Sequence, residues 1–208
     1  PFHEGNRMPS HPIRAPLLLT TAFALTALVG PALAHEGEGI AGGFASGFLH
    51  PVVGWDHVVA MIAVGLWGAQ LGKPAVWVLP VAFPMVMALG GALGLMGVPL
   101  PGVEIGIAAS AIALGLLVLA EAKPPLWVAA VVVGFFAVFH GHAHGTELPE
   151  GASGVLYSVG FVVATGSLHG VGIAIGLLHR WKQGRVALRV AGGIVAAAGV
   201  LFLVEALA

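Results

Sequence analysis

The residues of this chain that are best suited to chemistry stand at the start of an apolar stretch. They are His50, Asp56 and His57, in the spacing His-x5-Asp-His. Imidazole and carboxylate are ligands of first-row divalent metals. In a membrane span such side chains cost roughly 2.5–3.5 kcal/mol each at the bilayer centre, so they are retained mainly where they face a partner or a cavity. The motif indicates a divalent-metal site, and the alternative is a helix-capping aspartate beside two interfacial histidines.

The two histidines of this motif pose a geometric problem. On a straight helix His50 and His57 lie roughly 10 Å apart along the axis, so one ion could not touch both. Either Pro51 and Gly54 break the helix and fold His50 back, or the two histidines serve successive sites. Broken helices at binding sites recur in transporters. Met61 shares a helix face with His57 at the i+4 position, which makes it a weaker candidate ligand.

A second cluster has the sequence FHGHAHGTE, over residues 139–147. Its members His140 and His144 share a helix face, the spacing by which one helix offers two imidazoles to one ion. His142 points away from that face, toward lipid headgroups, a neighbouring helix or a second ion, and a structural role fits it equally well. Glu147 adds a nearby carboxylate. We therefore expect a second set of metal ligands here.

A third candidate is His169, which follows Thr165 and Ser167 within a later apolar segment. An intramembrane imidazole either binds the ion directly or forms a hydrogen bond between helices. Both interpretations of His169 remain open at this point.

The elements that position these residues must be membrane helices. The 208 residues are 58% hydrophobic and 8% charged, whereas a soluble domain has about 25% charged residues.

The composition also excludes several classes of site and partner. The zero cysteines exclude disulfides, thiolate metal sites and iron–sulfur clusters, and the net charge of −1 argues against nucleic acid as a partner. A nucleotide-binding glycine loop is absent from the sequence, which argues against ATP coupling.

Six apolar segments follow the amino-terminal region, each near the roughly 20 residues that a bilayer requires. They lie at about 46–71, 75–96, 103–121, 125–144, 153–178 and 186–206. The predicted fold class is all-α: a polytopic membrane protein with six transmembrane helices after an N-terminal signal peptide. Residues 46–208 form its membrane domain.

The signal peptide is predicted from a basic residue, Arg14, before the apolar run 15–30 and a small-residue exit at 32–34. The alternative is an uncleaved first helix. We expect Met8 to be the start, with residues 1–7 upstream of the native chain.

Cleavage after residue 34 would end the leader, 1–34, and leave 35–45 as a short extracytoplasmic N-terminus. Its first residue, His35, would offer an α-amine and an imidazole to one metal ion, or would belong to a solvated tail. It is a weaker candidate ligand than the histidines of the apolar segments.

The basic residues predict the orientation. The six Lys and Arg residues after position 34 all lie in or directly beside the first, third and fifth connections, whereas the fourth carries Glu147 and Glu150. The positive-inside rule then places the fourth connection and both mature termini outside. The clusters around His57 and His144 would both lie toward the outside, with His169 deeper. That order describes a metal path that starts outside.

At these motifs the sequence resembles the HupE/UreJ family of nickel permeases. The segments His50-x5-Asp56-His57, Phe139-His140-Gly141-x-Ala143-His144-Gly145-x-Glu147 and Ala164-Thr165-x2-Leu168-His169 carry the resemblance. It implies a bacterial inner-membrane permease, not an enzyme, that needs no cofactor. Its partners would be the lipid bilayer and the transported Ni²⁺, or in some members Co²⁺, supplied to hydrogenase or urease maturation. The resemblance implies that the functional residues are His50, Asp56, His57, His140, His144 and Glu147. His142 occupies a variable position of the family motif.

Two other classes of function fit the histidines. One is a membrane oxidoreductase with histidine-ligated haem or a di-iron centre, although only one His-x3-His pair is present in the sequence. The other is a periplasmic metal-binding membrane protein that does not transport. The sequence does not decide whether the ion is nickel or cobalt, or whether transport is passive or coupled to protons. It also leaves the oligomeric state open, and a homo-oligomer is one of the possibilities.

Overall fold

The computed structural model describes residues 40–148 and 151–208, with side chains from residue 43 onward. Every regular element in these ranges is helical, which confirms the all-α class. The helices are, in chain order, α1 (Ile40–Val53), α2 (Trp55–Leu71), α3 (Ala75–Leu95), α4 (Val103–Leu119), α5 (Leu126–Thr146), α6 (Gly154–Gly176) and α7 (Lys182–Leu207), with a short 3-10 helix (Leu177–Arg180) between α6 and α7. The predicted signal peptide and His35 lie outside the described residues.

Several of these helices can cross a membrane. The helices α3, α5, α6 with its 3-10 extension, and α7 are long and apolar enough to do so, and the bent pair α1–α2 would make a fifth span. Helix α4 has 17 residues and is shorter than the other candidates. By length and composition the described residues therefore contain four or five spans, whereas the sequence predicts six. Both counts describe a multi-pass helical membrane protein.

The first predicted span is two helices rather than one. α1 ends at Val53 and α2 begins at Trp55, with an angle of 80° between them. Gly54 lies at the turn in an extended conformation, with φ −76° and ψ 107°. Pro51 lies inside α1 rather than at the break. The predicted break in the helix is therefore observed, and it lies at Gly54 rather than at Pro51.

The distribution of side chains is that of a protein in lipid. Large apolar residues such as Trp55, Phe135 and Leu201 are exposed on the outer faces of the helices. Polar side chains are buried inside, and among the described residues they are His57, Gln70, Ser110, His140, His142, His144, Thr165 and His169. Five of these eight are histidines, so the interior of the helix bundle is where the candidate site must be sought.

Candidate metal site

The second motif is positioned by close packing of α5 on α3. A Cβ atom at Gly141 would collide with the carbonyl oxygen of Met87, and one at Gly145 would collide with that of Gly91. Only glycine permits helix backbones to approach this closely in a membrane. These glycines each follow a motif histidine, so the packing that they permit also sets the position of His140 and His144, both of which are buried.

Three residues of the two motifs meet at the outer end of the candidate site. The ligand atoms of His50, His144 and Glu147 all lie within 4.8 Å of one another. His50 Nε2 is 2.9 Å from Glu147 Oε2, and the rings of His50 and His144 are 4.6 Å apart. The side chains of His50 and Glu147 are 31% and 51% exposed, whereas His144 is buried. Two imidazoles and a carboxylate form a suitable ligand set for a divalent transition metal, which we call the outer triad.

The imidazoles continue inward from the outer triad. The ring of His57 lies 4.5 Å from that of His144 and 4.6 Å from that of His140. His50, His144, His57 and His140 thus form a continuous series of four imidazoles, each ring next to the following one. The two sequence motifs, which come from α1–α2 and α5, therefore make one cluster.

Asp56 is placed to orient His57. Its Oδ1 atom accepts the backbone N–H of His57 at 2.8 Å and lies 2.9 Å from the Nδ1 atom of the His57 ring. A Cβ atom on Gly54 would come within 3.0 Å of Asp56 Oδ1 and 3.3 Å of His57 Nδ1, so the glycine at the helix break leaves room for this contact. When Nδ1 donates to the carboxylate, Nε2 remains as the metal-binding atom.

Imidazole nitrogens without a partner concentrate in this region. Within residues 43–148 and 151–208, the buried nitrogens that have no hydrogen-bond partner include His57 Nε2, His140 Nδ1 and both ring nitrogens of His144. A buried polar group left unpaired costs about 1–3 kcal/mol. Neutral imidazole nitrogens are also the atoms by which histidine binds metals. A site that binds a metal ion accounts for these nitrogens, whereas apolar packing alone does not.

His169 is separated from the four-imidazole series by an aromatic ring. The ring of Phe83 lies 5.5 Å from His140 and 5.6 Å from His169. His169 is buried with Thr165 on the same helix. Phe83 therefore contacts both His140 and His169. The sequence does not single it out, because an isolated phenylalanine is ordinary in an apolar helix.

A cavity of about 500 Å³ opens beside the outer triad. It is lined by Ser46, Leu49, His50, Val53, Gly54, Asp56, His57, Glu104, Ile107, Ala143 and Glu147. Glu104 also lines an adjacent cavity of about 450 Å³, together with Asp56 and Glu205. In the sequence these two glutamates give a weaker signal than the histidines, because a carboxylate near the end of a helix can simply reach water. The tertiary structure brings Glu104 to the cavity that contains His57.

The remaining candidates lie elsewhere. The Nε2 atom of His142 is 2.7 Å from the carbonyl oxygen of Val98, in the connection between α3 and α4, to which it donates. This places His142 outside the four-imidazole series, in a contact that joins two parts of the fold. Met61 is buried in the hydrophobic core with Phe83 and Leu79.

Comparison with known proteins agrees with the motifs. The family model described as HupE / UreJ protein matches residues 23–202 of the chain. The chain is also similar to Protein HupE of Rhizobium leguminosarum bv. viciae, with 50% identity over 187 residues that cover 89% of this chain and 97% of the relative. No solved structure matches the chain.

Proposed function

We propose that this chain, which belongs to the HupE / UreJ protein family, is a permease that carries a divalent transition metal ion from the periplasm to the cytoplasm. The family is of the transporter type and is implicated in nickel and cobalt transport for hydrogenase and urease. We propose Ni²⁺ as the principal substrate and Co²⁺ as the second, because imidazole and carboxylate ligands suit both ions.

The observation that carries this proposal is the series of imidazoles that begins at the outer triad. A storage site would need one closed set of ligands. Here His144 lies between His50 on the exposed side and His57 on the buried side, at ring distances of 4.6 Å and 4.5 Å. Neighbouring ligand sets that share a residue allow an ion to exchange ligands stepwise, which is what passage through a protein requires.

In this proposal the carboxylates attract the ion, and Glu147 then binds it together with the imidazoles. Glu104, Asp56 and Glu147 line the open cavity, and in a low-dielectric surrounding their negative charge attracts a divalent cation. The ion then exchanges water for the nitrogens of His50 and His144 and for Glu147. His144 has two buried ring nitrogens without a partner among the described residues, so we assign it the transfer from the outer triad to His57 and His140.

We propose that all six predicted segments cross the membrane. The 17 residues of α4 rise about 25 Å at 1.5 Å per residue, close to the roughly 30 Å hydrocarbon core of a bilayer. The pair α1–α2 is a broken span whose bend borders the open cavity, where exposed backbone groups reach water. With the basic connections inside, the mature termini are periplasmic and the protein lies in the bacterial inner membrane.

The proposal is tested by metal uptake into proteoliposomes that contain the purified full chain. Ni²⁺, Co²⁺, Zn²⁺ and Mg²⁺ are supplied separately, with and without a pH gradient, and internal metal is measured. We expect uptake of Ni²⁺ and Co²⁺ above that of empty liposomes and little uptake of Mg²⁺, which prefers oxygen ligands. The variant His144→Leu tests the path of the ion, because it keeps a buried side chain of similar size without ring nitrogens. We expect it to lower the uptake of Ni²⁺.

Two results would contradict the proposal. One is Ni²⁺ uptake no faster than in empty liposomes while the purified protein still binds the ion, which would leave a binding protein without transport. The other is equal uptake by the His144→Leu variant, which would show that the ion takes another path. Visible absorbance of the purified protein identifies a haem or di-iron protein in the same preparation.

A further inference from the structure

We propose that Ser110 is a positioning residue of the metal site, which holds His140 in the tautomer protonated on Nε2 and so leaves Nδ1 as the atom that binds the ion. The inference rests on the proposed function in that it assigns a ligand atom of the same site. Nothing in the spacing of the sequence motifs points to Ser110.

The contact joins two helices in the centre of the protein. Ser110 lies in α4 and His140 in α5, and both residues are fully buried. The Ser110 Oγ atom is 2.9 Å from His140 Nε2 and 2.6 Å from the backbone carbonyl oxygen of Ile107, one turn earlier in α4. One hydroxyl group therefore has two close polar neighbours.

The number of hydrogens decides which atom donates. A serine hydroxyl has one hydrogen and two lone pairs, and a carbonyl oxygen can only accept. The Oγ to Ile107 oxygen distance of 2.6 Å lies within the ordinary O–H···O range, so the hydroxyl hydrogen is directed to this carbonyl. If the hydroxyl donated to His140 instead, two oxygen atoms with only lone pairs would face each other at this distance.

His140 must then be the donor in its bond to Ser110. A neutral imidazole has one N–H, so protonation of Nε2 leaves the lone pair on Nδ1. Nδ1 of His140 is buried and has no hydrogen-bond partner within the described part of the chain. The His140 ring also packs edge-on against His57, with an angle of 88° between the rings. The free nitrogen therefore belongs to a ring that is fixed next to the preceding imidazole of the series.

The same arrangement occurs at His57. Asp56 holds Nδ1 of His57 and leaves Nε2 without a partner among the described residues, whereas Ser110 holds Nε2 of His140 and leaves Nδ1. Metal-binding histidines almost always donate their second ring N–H to a nearby acceptor, and loss of that acceptor typically weakens metal binding 10- to 100-fold. The two acceptors differ in charge. Asp56 is a carboxylate and Ser110 is a neutral hydroxyl, so the acceptor at His140 adds no negative charge to the site.

The position of Ser110 in its helix supports this role. It is the only polar side chain of α4 after the first turn, in the sequence VEIGIAASAIALGLLVL. Ser167 in α6 offers a comparison, because its hydroxyl also bonds to its own helix, at 2.8 Å from the carbonyl oxygen of Val163, but it is exposed. A serine that only bonds back to its helix does not need to be buried against an imidazole.

The first test is transport in proteoliposomes with the full chain. For Ser110→Ala we expect the KM for Ni²⁺ to rise about 10- to 100-fold, the typical effect of removing such an acceptor. Ser110→Thr keeps the hydroxyl and should restore KM to within a few-fold of the wild type. Ser167→Ala removes a comparable hydroxyl outside the site and should leave KM unchanged. A wild-type KM for Ser110→Ala would overturn the inference.

The second test reads the tautomer directly and does not depend on transport. The metal-free protein with ¹⁵N-labelled histidine rings is studied by NMR at about pH 8, where imidazoles are neutral, and the His140 signals are identified by their loss in His140→Gln. We expect a proton on Nε2 in the wild type and on Nδ1, or a mixture, in Ser110→Ala. A proton on Nδ1 in the wild type would overturn the inference. Failure of the wild type to transport nickel would instead contradict the proposed function and leave this result standing.

Discussion

The Nε2 atom of His50 and the Oε2 atom of Glu147 lie 2.9 Å apart, although 97 positions separate the two residues in the sequence. This contact joins α1 to the residue that follows the last turn of α5. Both groups also belong to the outer triad with His144. The contact holds the two motifs in register, and at the proposed metal site an ion would replace this pairing with its own bonds to both groups.

This contact gives the first prediction, which concerns Glu147→Gln. The amide keeps the size of the side chain and can still bond to His50, but it lacks the charge that offsets a divalent cation. We expect the affinity of the purified protein for Ni²⁺, measured by calorimetry, to fall about tenfold or more, at the lower end of the effects seen around metal sites. Glu121→Gln, at the opposite end of α4 from Glu104, is the matched control and should bind as the wild type. Equal affinity of the two variants would remove Glu147 from the site.

The second prediction concerns the pair that precedes α2. We expect Asp56→Asn and His57→Ala each to lower nickel uptake at least roughly tenfold. The first variant removes the carboxylate that orients the His57 ring, and the second removes the ring itself. A hydrogen bond to a charged acceptor is about twice as strong as a neutral one, so asparagine cannot replace the carboxylate here. Uptake is measured in cells and normalised to the amount of protein in the membrane.

The control for this pair is His142→Gln. His142 contacts Val98 rather than the other imidazoles, so its substitution should lower uptake much less. If Asp56 served only to accept the backbone N–H of His57, asparagine would replace it with little loss, since its amide oxygen can accept the same bond. Near-normal uptake by Asp56→Asn would therefore argue against a site built on the start of α2.

The third prediction tests the packing that positions α5. Gly141→Ala places a methyl group against the backbone of Met87, and overpacking of this kind costs typically 1–3 kcal/mol. We expect a lower Tm of the detergent-purified protein, followed through tryptophan fluorescence. Gly134→Ala in the same helix is the control, since its nearest contact would be a methyl of Val86 at an ordinary 3.5 Å. Equal Tm values for the two variants would show that α5 is not held by close approach at Gly141.

The fourth prediction concerns sidedness. Single cysteines are introduced at Ser153 and Gln183, both exposed, in a chain whose sequence has no cysteine. In intact spheroplasts an impermeant thiol reagent should label the residue at 153 and leave that at 183 unlabelled until the membrane is permeabilised. The reverse pattern would invert the membrane orientation and put the outer triad on the cytoplasmic side.

The sequence by itself determined the class of protein and which residue types are available for metal binding. Residue types and the i, i+4 spacing of His140 and His144 depend on one helix only, so they can be read without knowledge of neighbouring helices. The apolar segments, the absence of cysteine and the two histidine motifs were enough to predict an all-helical membrane protein and to indicate its family.

The tertiary structure decided which residues touch. Register between helices depends on where backbones can approach closely, which is why the glycines at 141 and 145 matter and why periodicity within α5 could not reveal their partner helix. The 80° bend at Gly54 also lies outside what hydrophobic periodicity describes, because both halves remain apolar. With that bend, the His50 and His57 rings lie 4.6 Å and 4.5 Å from the ring of His144.

The same reason explains the residues that the sequence did not reveal. Glu104, Phe83 and Ser110 are ordinary in their own helices: a carboxylate in a first turn, an aromatic ring and a small hydroxyl in apolar segments. Their relation to the imidazoles exists only across helix interfaces, through a shared cavity, ring contacts and one hydrogen bond. Because such contacts join distant parts of the chain, no local pattern encodes them, and only the packed bundle shows which imidazole nitrogens are held and which remain free.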